Sequence, residues 1–311
     1  MELRLDKLTT EQRNEKTKHI DTCSVMEMLE MINDEDAHVH DAVRDEIPNI
    51  AKAVEAIVKS FKKGGRLFYV GAGTSGRLGI LDASECPPTY STEPEMVQAI
   101  IAGGNTAIFK AVEGAEDSAE LGKNAMIEKK VTENDVIVGI TASGRTPYVL
   151  GAVKQAKLVG AITVGLSNNR NSALTKVVDI AITPIVGAEV VTGSTRMKAG
   201  TSQKLVLNML TTSSMIRLGK VYGNLMVDVK ASNEKLVDRC ERIVESATDI
   251  TTKDVKRYLS QTSYNPKKAI IMIKTGASLE QVEKALTETD GLVAQSIDLL
   301  IRKQEGKINA G

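Results

Sequence analysis

Two short apolar segments of this chain each run directly into a loop of glycines and hydroxyl-bearing residues. Arg66–Val70 opens into Gly71-Ala-Gly-Thr-Ser-Gly76, and Val136–Ile140 opens into Thr141-Ala-Ser-Gly-Arg-Thr-Pro147. Each pattern is typical of a strand, a tight turn and the start of a helix. Hydroxyls and main-chain amides at a helix start bind a phosphate monoester without any need for a basic protein. The repeated pattern therefore predicts a phosphate site built from two loops.

Further short apolar runs continue the alternation of strand and helix signals. They are Val97–Ile101, Ala161–Leu166 and Asp179–Ile182. Helical periodicity between several of them predicts a doubly wound, mostly parallel sheet in an αβα sandwich. Before this region the pattern is helical from Val25 to about Lys63, and Pro48 predicts a break followed by a second helix.

After Asp228 the glycine-rich strand signals stop and helix-start signatures take over. Three such signatures recur, namely Thr251 with Asp254, Asn265 before Pro266, and Ser278 with Gln281. We therefore predict an N-terminal helical segment at 1–45, an α/β domain with the two phosphate loops at 46–232 and a small helical domain at 236–305.

Charge and residue usage exclude several functional classes. Lys plus Arg number 40 and Asp plus Glu number 40 in 311 residues, so no global field favours nucleic acid or an anionic membrane. No apolar run approaches the roughly 18 residues of a membrane span. The cysteines are few and widely separated, which fits a reducing, cytoplasmic compartment. They are Cys23, Cys86 and Cys240.

A metal site is also not expected. The three histidines, His19, His38 and His40, precede the glycine-rich centre. His38 and His40 are two residues apart, whereas a metal-binding pair on a helix needs a spacing of about four. Acid–base chemistry therefore falls mainly to carboxylates.

The first loop satisfies a dinucleotide-binding fingerprint, Gly71-x-Gly73-x-x-Gly76, so a nicotinamide cofactor is an alternative. That function also needs an acidic residue after the second strand, where the chain instead has Ile101-Ala-Gly-Gly-Asn105. The hydroxyls of Thr74 and Ser75 suit a terminal phosphate better than a pyrophosphate. A purely structural alternative is that the Ser and Thr residues only cap helices and form turns.

The two loops resemble those of the SIS sugar-isomerase fold, and a longer stretch narrows the resemblance. Gly71-Ala-Gly-Thr-Ser-Gly-Arg-Leu-Gly-Ile-Leu-Asp-Ala-Ser-Glu85-Cys-Pro-Pro88 resembles the signature of the N-acetylmuramic acid 6-phosphate etherases, shared in part with the glucokinase regulatory proteins. The resemblance covers about residues 20 to 235 closely and the helical tail more loosely. Further matching stretches are Glu113-Gly-Ala-Glu116-Asp117, Ser143-Gly-Arg-Thr-Pro147, Ile185-Val-Gly-Ala-Glu189, Thr192-Gly-Ser-Thr-Arg-Met-Lys-Ala-Gly200 and Asn224-Leu-Met-Val-Asp228.

The resemblance implies a lyase with two catalytic glutamates, which carry over to Glu85 and Glu116. In that family a lactyl ether is eliminated across C2 and C3 of the opened sugar and water then adds at C3. The products are N-acetylglucosamine 6-phosphate and D-lactate. The resemblance also implies a homodimer with the active site near the subunit interface, and neither a metal nor a redox cofactor.

The positions of the two glutamates suggest which of them acts as the acid and which as the base. Pro87 and Pro88 predict the end of a helix that starts near Ser75, which puts Glu85 by its C-terminus. The negative end of the helix dipole favours a protonated carboxyl there, so Glu85 is expected to donate a proton to the departing lactate. Glu116 is then the candidate base at C2.

Two neighbouring carboxylates, Glu113 and Asp117, compete with Glu116 for the role of base. Arg196 and Lys198 are candidates for binding the carboxylate or acetamido side of the substrate, or else form a charged helix start. The complete set of expected substrate-binding residues is Thr74, Ser75, Gly76, Ser143, Gly144, Thr146, Ser194 and Lys198.

Two further functions are compatible with the same fold. A sugar-phosphate sensor that regulates a kinase keeps the phosphate loops and needs neither glutamate. An aldose–ketose isomerase also begins with proton removal at C2, but it leaves the ether at C3 intact. Release of lactate separates both from the lyase.

Overall fold

The computed structural model describes residues 8–229, 231, 233–248 and 250–308. The chain divides into two compact units, the first formed by residues up to 85 together with 93–211. The second comprises 86–92 and the residues from 212 onward. The domain limits expected from the sequence, 1–45, 46–232 and 236–305, stay a prediction. Residues 1–7, 230, 232 and 249 of those ranges lie outside the described residues.

The first unit contains a five-stranded parallel sheet in the order β2-β1-β3-β4-β5. Its strands are β1 (Leu67–Gly71), β2 (Val97–Ile101), β3 (Val136–Ile140), β4 (Ile162–Leu166) and β5 (Ile180–Ile182). Each coincides within one or two residues with an apolar run of the sequence. The predicted doubly wound parallel α/β fold is therefore confirmed.

Seven helices begin in the described part of the first unit. They are α1 (Val25–Arg44), α2 (Ile47–Lys62), α3 (Gly73–Tyr90), α4 (Thr106–Phe109), α5 (Ala119–Glu128), α6 (Pro147–Leu158) and α7 (Lys198–Arg217). The predicted break near Pro48 lies between α1 and α2. Pro48 occupies the first turn of α2, where its missing N–H has no partner to lose.

Helices cover both faces of the sheet. Phe68, Val70 and Ile137 form one buried cluster with Met126 of α5 and Tyr148 of α6. Side chains alternate along a strand, so Tyr69 points to the opposite face. There its hydroxyl donates a hydrogen bond of 2.9 Å to Asp82 on α3. Burial on both faces explains why β1 and β3 consist almost entirely of apolar residues.

The order of the strands positions the functional site. From β1 the chain goes to β2 on one side, and it then crosses to β3 on the other side. Gly71 and Ile140, the last residues of β1 and β3, lie opposite each other in the parallel register. The loops that follow these strands are therefore adjacent at the carboxyl edge, the switch point where open α/β sheets bind ligands.

The second unit is mainly helical, as predicted. Its elements after α7 are β6 (Val221–Tyr222), β7 (Leu225–Met226), α8 (Glu234–Thr248), α9 (Thr252–Gln261), α10 (Pro266–Thr275), α11 (Leu279–Glu288) and α12 (Val293–Ile308). Asn265 caps α10, and Ser278 with Gln281 forms a complete capping box on α11. The β6–β7 hairpin was not predicted because two-residue strands leave no periodic signal. Among the helices in the described ranges, none is both long and apolar enough to cross a membrane.

Candidate functional site

The first loop passes directly from β1 into α3. The first hydrogen bond of the helix joins the N–H of Gly76 to the carbonyl of Ala72 at 3.2 Å. The amides of Gly73, Thr74 and Ser75 precede this ladder and point out of the helix start. Gly76 itself packs closely, because a Cβ there would lie 2.5 Å from Cγ1 of Ile101. The structure thus gives Gly76 a role in packing, and its expected contact with substrate stays a prediction.

Ser75 is buried, and its hydroxyl belongs to a hydrogen-bond chain. Ser75 Oγ donates to Oε1 of Gln203 at 2.8 Å, and Gln203 Nε2 donates to Oδ1 of Asn168 at 3.1 Å. Asn168 in turn donates to the carbonyl of Pro184 and to Ser202 Oγ. This chain orients the Gln203 amide, so the Ser75 hydroxyl is held against α7. The group that Ser75 offers most directly to an anion is its main-chain N–H.

The second loop gathers three hydroxyls before α6. Thr141 Oγ1 lies 2.7 Å from Thr146 Oγ1 and 3.3 Å from Ser143 Oγ. Thr146 occupies the N-cap position, but its side chain makes no capping hydrogen bond. The expectation that these residues serve only as helix caps therefore fails for Thr146.

Gly144 gives the second loop its shape. Its φ is +68°, and a Cβ at this position would lie 2.2 Å from Ser172 Oγ. Its N–H is already bonded to the carbonyl of Thr141 at 3.2 Å. The structure thus gives Gly144 a role in loop geometry, and its expected contact with substrate stays a prediction.

The two loops meet in one cavity of about 260 Å³. Its walls are rich in hydroxyl groups and main-chain amides, and none of its described lining residues is Lys or Arg. The lining residues are Glu11, Ala72, Gly73, Thr74, Ser75, Glu116, Ile140, Thr141, Ala142, Ser143, Thr146 and Thr195. Thr74, Ser75, Ser143 and Thr146, expected from the sequence to act together, are thus brought together by the fold.

Of the three carboxylates expected to compete for the role of base, Glu116 lines this cavity. It lies in a 3₁₀ turn, Ala115–Asp117, which the left-handed Gly114 precedes. Glu116 also lines an adjoining cavity of about 240 Å³, and Glu113 lines only that one. Asp117 lines neither. The structure thus distinguishes Glu116 from Glu113 and Asp117 as the carboxylate that lines the cavity of the two loops, a distinction that the sequence did not give.

The structure corrects the expected end of the helix that carries Glu85. Pro87 and Pro88 lie inside α3, which continues to Tyr90. Ser91 ends the helix with φ of 52°, and its N–H bonds to the carbonyl of Pro87 at 2.9 Å. Proline already has a helical φ, so the helix continues through both residues, although their missing N–H groups leave ladder hydrogen bonds unmade. Glu85 therefore lies more than one turn before the C-terminus, where the dipole effect is weak.

Glu85 is exposed and is not among the residues that line the cavity. It follows Ser75 by ten residues on the same helix, which corresponds to about 15 Å along the helix axis. The two expected catalytic glutamates are thus not gathered in one cavity of a single chain.

Lys198 does not contact the cavity. Its Nζ lies 2.5 Å from Oε2 of Glu35, and the side chains are 2% and 8% exposed. Its main-chain N–H donates to Glu189, whose carboxylate caps the start of α7 by also accepting from the N–H of Ala199. The expectation that Lys198 binds substrate is therefore corrected: its ammonium group joins α7 to α1.

The other two polar residues of the same turn also lie outside the cavity lining. Ser194 is half-buried and Arg196 is exposed, whereas Thr195 between them lines the cavity. Thr195 and Glu11 were missed by the sequence reasoning. Glu11 is far from both loops in sequence and carries no local signal, whereas Thr195 lies within a matching stretch and could have been found there.

A buried carboxylate supports the helix that begins at the first loop. Asp82 accepts hydrogen bonds from Asn208 Nδ2 at 2.7 Å, from Tyr69 and from Thr211 Oγ1 at 3.2 Å. Burial raises the pKa of the Asp82 carboxyl above its ordinary value, and the hydrogen bonds from Asn208, Tyr69 and Thr211 oppose the rise. This network ties α3 to β1 and α7, and so fixes the helix start that lines the cavity.

Comparison with known families agrees with this architecture. Residues 49–157 match the family model described as the glucokinase regulatory protein N-terminal SIS domain, and residues 115–213 match the SIS domain. Residues 223–305 match the C-terminal lid domain of glucokinase regulatory protein. The fold and the paired loops therefore define a SIS-domain protein with a C-terminal lid domain.

Relatives that match along almost the whole chain identify the family within this class. The chain is 56% identical to the N-acetylmuramic acid 6-phosphate etherase of Clostridium acetobutylicum, over 96% of this chain and 99% of the relative. The same enzyme of Caldanaerobacter subterraneus subsp. tengcongensis is 54% identical, over 97% and 99%. That of Photobacterium profundum is 55% identical, over 96% and 99%. The chain belongs to the N-acetylmuramic acid 6-phosphate etherase family.

Proposed function

We propose that this chain is a carbon–oxygen lyase that removes the D-lactyl ether from N-acetylmuramic acid 6-phosphate, giving N-acetylglucosamine 6-phosphate and D-lactate. The observation that carries the proposal is the cavity in which Glu116 faces two hydroxyl-rich loops at the switch point of the sheet. A phosphate held by the loops brings the sugar within reach of a carboxylate base.

The phosphate binds at the starts of α3 and α6. Its donors are the amides of Thr74 and Ser75 and the hydroxyls of Ser143 and Thr146, and all four residues line the cavity. The positive ends of the two helix dipoles add to their attraction. Binding therefore rests on neutral donors, in agreement with the chain's zero formal net charge.

The reaction proceeds by elimination followed by hydration. Ring opening exposes an aldehyde, which acidifies the hydrogen at C2. Glu116 takes this proton, the electron pair forms the C2–C3 double bond, and the bond from C3 to the ether oxygen breaks. Glu85 protonates the departing lactate oxygen. Water then adds at C3, with Glu85 removing a proton from it and Glu116 returning one to C2.

We further propose a homodimer in which the partner completes this site. Glu85 is exposed and lies outside the cavity that contains Glu116 in its own chain. This separation supports a second chain that supplies Glu85 to the site.

Mixing two inactive variants tests the shared site. If Glu85 acts on the partner's substrate, a heterodimer of Glu85→Gln and Glu116→Gln chains regains one intact site. Activity should then reappear after the two variants are unfolded and refolded together. Lack of recovery, with heterodimers verified by mass spectrometry, would assign both glutamates to the same chain.

The decisive assay of the proposed function is release of D-lactate from N-acetylmuramic acid 6-phosphate by the purified chain. In heavy-oxygen water the label should appear at the C3 hydroxyl of N-acetylglucosamine 6-phosphate, because the ether oxygen leaves with lactate. Label in lactate would overturn the elimination mechanism. A regulator or an aldose–ketose isomerase would release no lactate at all.

We also propose that the chain works in the cytoplasm. Its three cysteines are not joined to one another in disulfides, which is the state expected in a reducing compartment. Cell fractionation followed by immunodetection tests this. Recovery in a membrane or extracellular fraction would contradict it.

A further inference from the structure

The segment before α1 is attached to the sheet edge that carries the cavity. This N-terminal arm, defined here as residues 8–22, contains three single 3₁₀ turns, at Thr9–Glu11, Glu15–Thr17 and Ile20–Thr22. Such short turns have little stability of their own. The arm is nevertheless well packed, since Leu8, Thr10, Asn14 and Thr17 are all buried.

Asn169 links the arm to the second phosphate loop. Its Oδ1 accepts from the N–H of Thr9 at 2.8 Å, and its Nδ2 lies 3.1 Å from Thr10 Oγ1 and 2.9 Å from the carbonyl of Ala142. Asn169 is 3% exposed, so these bonds are shielded from water. One side chain therefore sets the position of the arm relative to the loop that carries Ser143.

Two further hydrogen bonds fix the middle of the arm. Asn14 Nδ2 donates to the carbonyl of Ala188 at 3.3 Å, and Thr17 Oγ1 donates to the carbonyl of Val190 at 2.8 Å. Together with the bonds of Asn169 to Thr9 and Thr10, they secure the arm on both sides of Glu11. The arm thus contributes a positioned wall to the cavity.

Glu11 is the acidic residue that this wall presents. It lines the cavity together with Ser75, Ser143 and Glu116, and its Oε2 would lie 3.6 Å from a Cβ on Gly193. An ionised carboxylate only accepts hydrogen bonds, and it repels a phosphate. Its complement in this cavity is therefore a hydrogen-bond donor on the part of the ligand away from the phosphate.

We propose that Glu11 is a substrate-binding and specificity-determining residue that accepts hydrogen bonds from the hydroxyl or acetamido N–H groups of the amino sugar. This inference rests on the proposed function. While the loops hold the phosphate, Glu11 orients the sugar so that C2 faces Glu116. Glu11 takes no proton from the reacting atoms, so its loss affects binding more than turnover.

The test compares Glu11→Ala and Glu11→Gln with Glu15→Gln. Glu15 is a matched control, because it is an exposed glutamate of the same arm that pairs with Lys18 on the surface. Loss of a hydrogen bond to a charged group raises KM of Glu11→Ala roughly ten- to hundredfold. Glu11→Gln keeps one acceptor oxygen and should show a smaller rise. In both variants kcat changes little, and Glu15→Gln behaves like the unmodified enzyme.

Inhibition by inorganic phosphate distinguishes direct contact of Glu11 with the substrate from an indirect effect of a displaced N-terminal arm. Removal of a negative charge from the cavity should leave the inhibition constant for phosphate unchanged or lower it. An arm that moved would disturb the loop through Asn169 and raise that constant, which would overturn the proposal. Unchanged KM in both Glu11 variants would also overturn it, as would a loss of kcat at constant KM. If the unmodified chain released no lactate, the proposed function itself would fail, which is a different outcome.

Discussion

Replacement of Gly144 by alanine tests the argument that close packing shapes the second phosphate loop. The backbone of Gly144 has φ of +68°, which costs a residue with a Cβ about 1–2 kcal/mol. The new Cβ would also lie 2.2 Å from Oγ and 2.3 Å from Cβ of Ser172. Relief of such an overlap in a packed site costs about 1–3 kcal/mol. The expected loss in the free energy of unfolding is therefore about 2–5 kcal/mol.

Gly104→Ala is the matched control, because Gly104 has φ of +63° and no atom within 4 Å of its would-be Cβ. It should lose only about 1–2 kcal/mol, and the effect of alanine on the unfolded chain cancels between the two variants. The chain has no Trp, so far-UV circular dichroism in urea is the suitable measurement. Gly144→Ala should also raise KM, because Ser143 moves with the loop. Equal urea midpoints for the two variants would refute the packing argument.

Three further predictions concern the loops, the buried ion pair and the base. Ser143→Ala should raise KM by roughly ten- to hundredfold, and an unchanged KM would contradict phosphate binding by the second loop. Ser75→Ala keeps the main-chain N–H, so it should change KM little but lower stability by about 1–3 kcal/mol through the unpaired Gln203 oxygen. Lys198→Ala should destabilise the fold by about 3–5 kcal/mol with little change in KM of the folded fraction. Burial opposes ionisation of Glu35, but the hydrogen bond and charge of Lys198, with hydrogen bonds from Lys16 and Asn14, together outweigh it and lower the pKa of that carboxyl. The stabilisation is therefore present above the ordinary glutamate pKa and is lost as the pH falls through the folded-state pKa, and Lys198→Ala should weaken this acid-dependent loss in urea titrations. Glu116→Gln should abolish incorporation of deuterium at C2 in deuterated water, and normal turnover by this variant would move the role of base to Glu113 or Asp117.

Much of the fold was predictable because its signals are local. A buried parallel strand must be apolar on both faces, so all five strands of the large sheet could be located from short apolar runs. Asn265 and the Ser278–Gln281 pair mark helix starts because the capping bonds join residues only three apart. The end of α3 was predicted wrongly. Pro87 and Pro88 were expected to end the helix, but they are tolerated inside it, and the sequence does not show that the helix continues past them.

The candidate site was predictable only in part. Ser75 and Ser143 belong to repeated loops, and Gly71 and Ile140 pair across the sheet, so their proximity follows from the topology. The role of Lys198 could not be deduced in the same way. Its neighbours in sequence are the glycines and hydroxyls of a turn, whereas its partner Glu35 is 163 residues away.

The sequence by itself determined the class of fold, the presence of two phosphate-type loops and the family, because each depends on residues close together in the chain. Only the tertiary structure decided which carboxylates face the cavity. It selected Glu116 over Glu113 and Asp117, left Glu85 on an exposed helix surface, and brought in Glu11 from the far N-terminus. The physical reason is that a carboxylate has the same chemistry wherever it occurs, and its surroundings are set by hydrogen bonds between distant segments, such as those of Asn169 with the N-terminal arm.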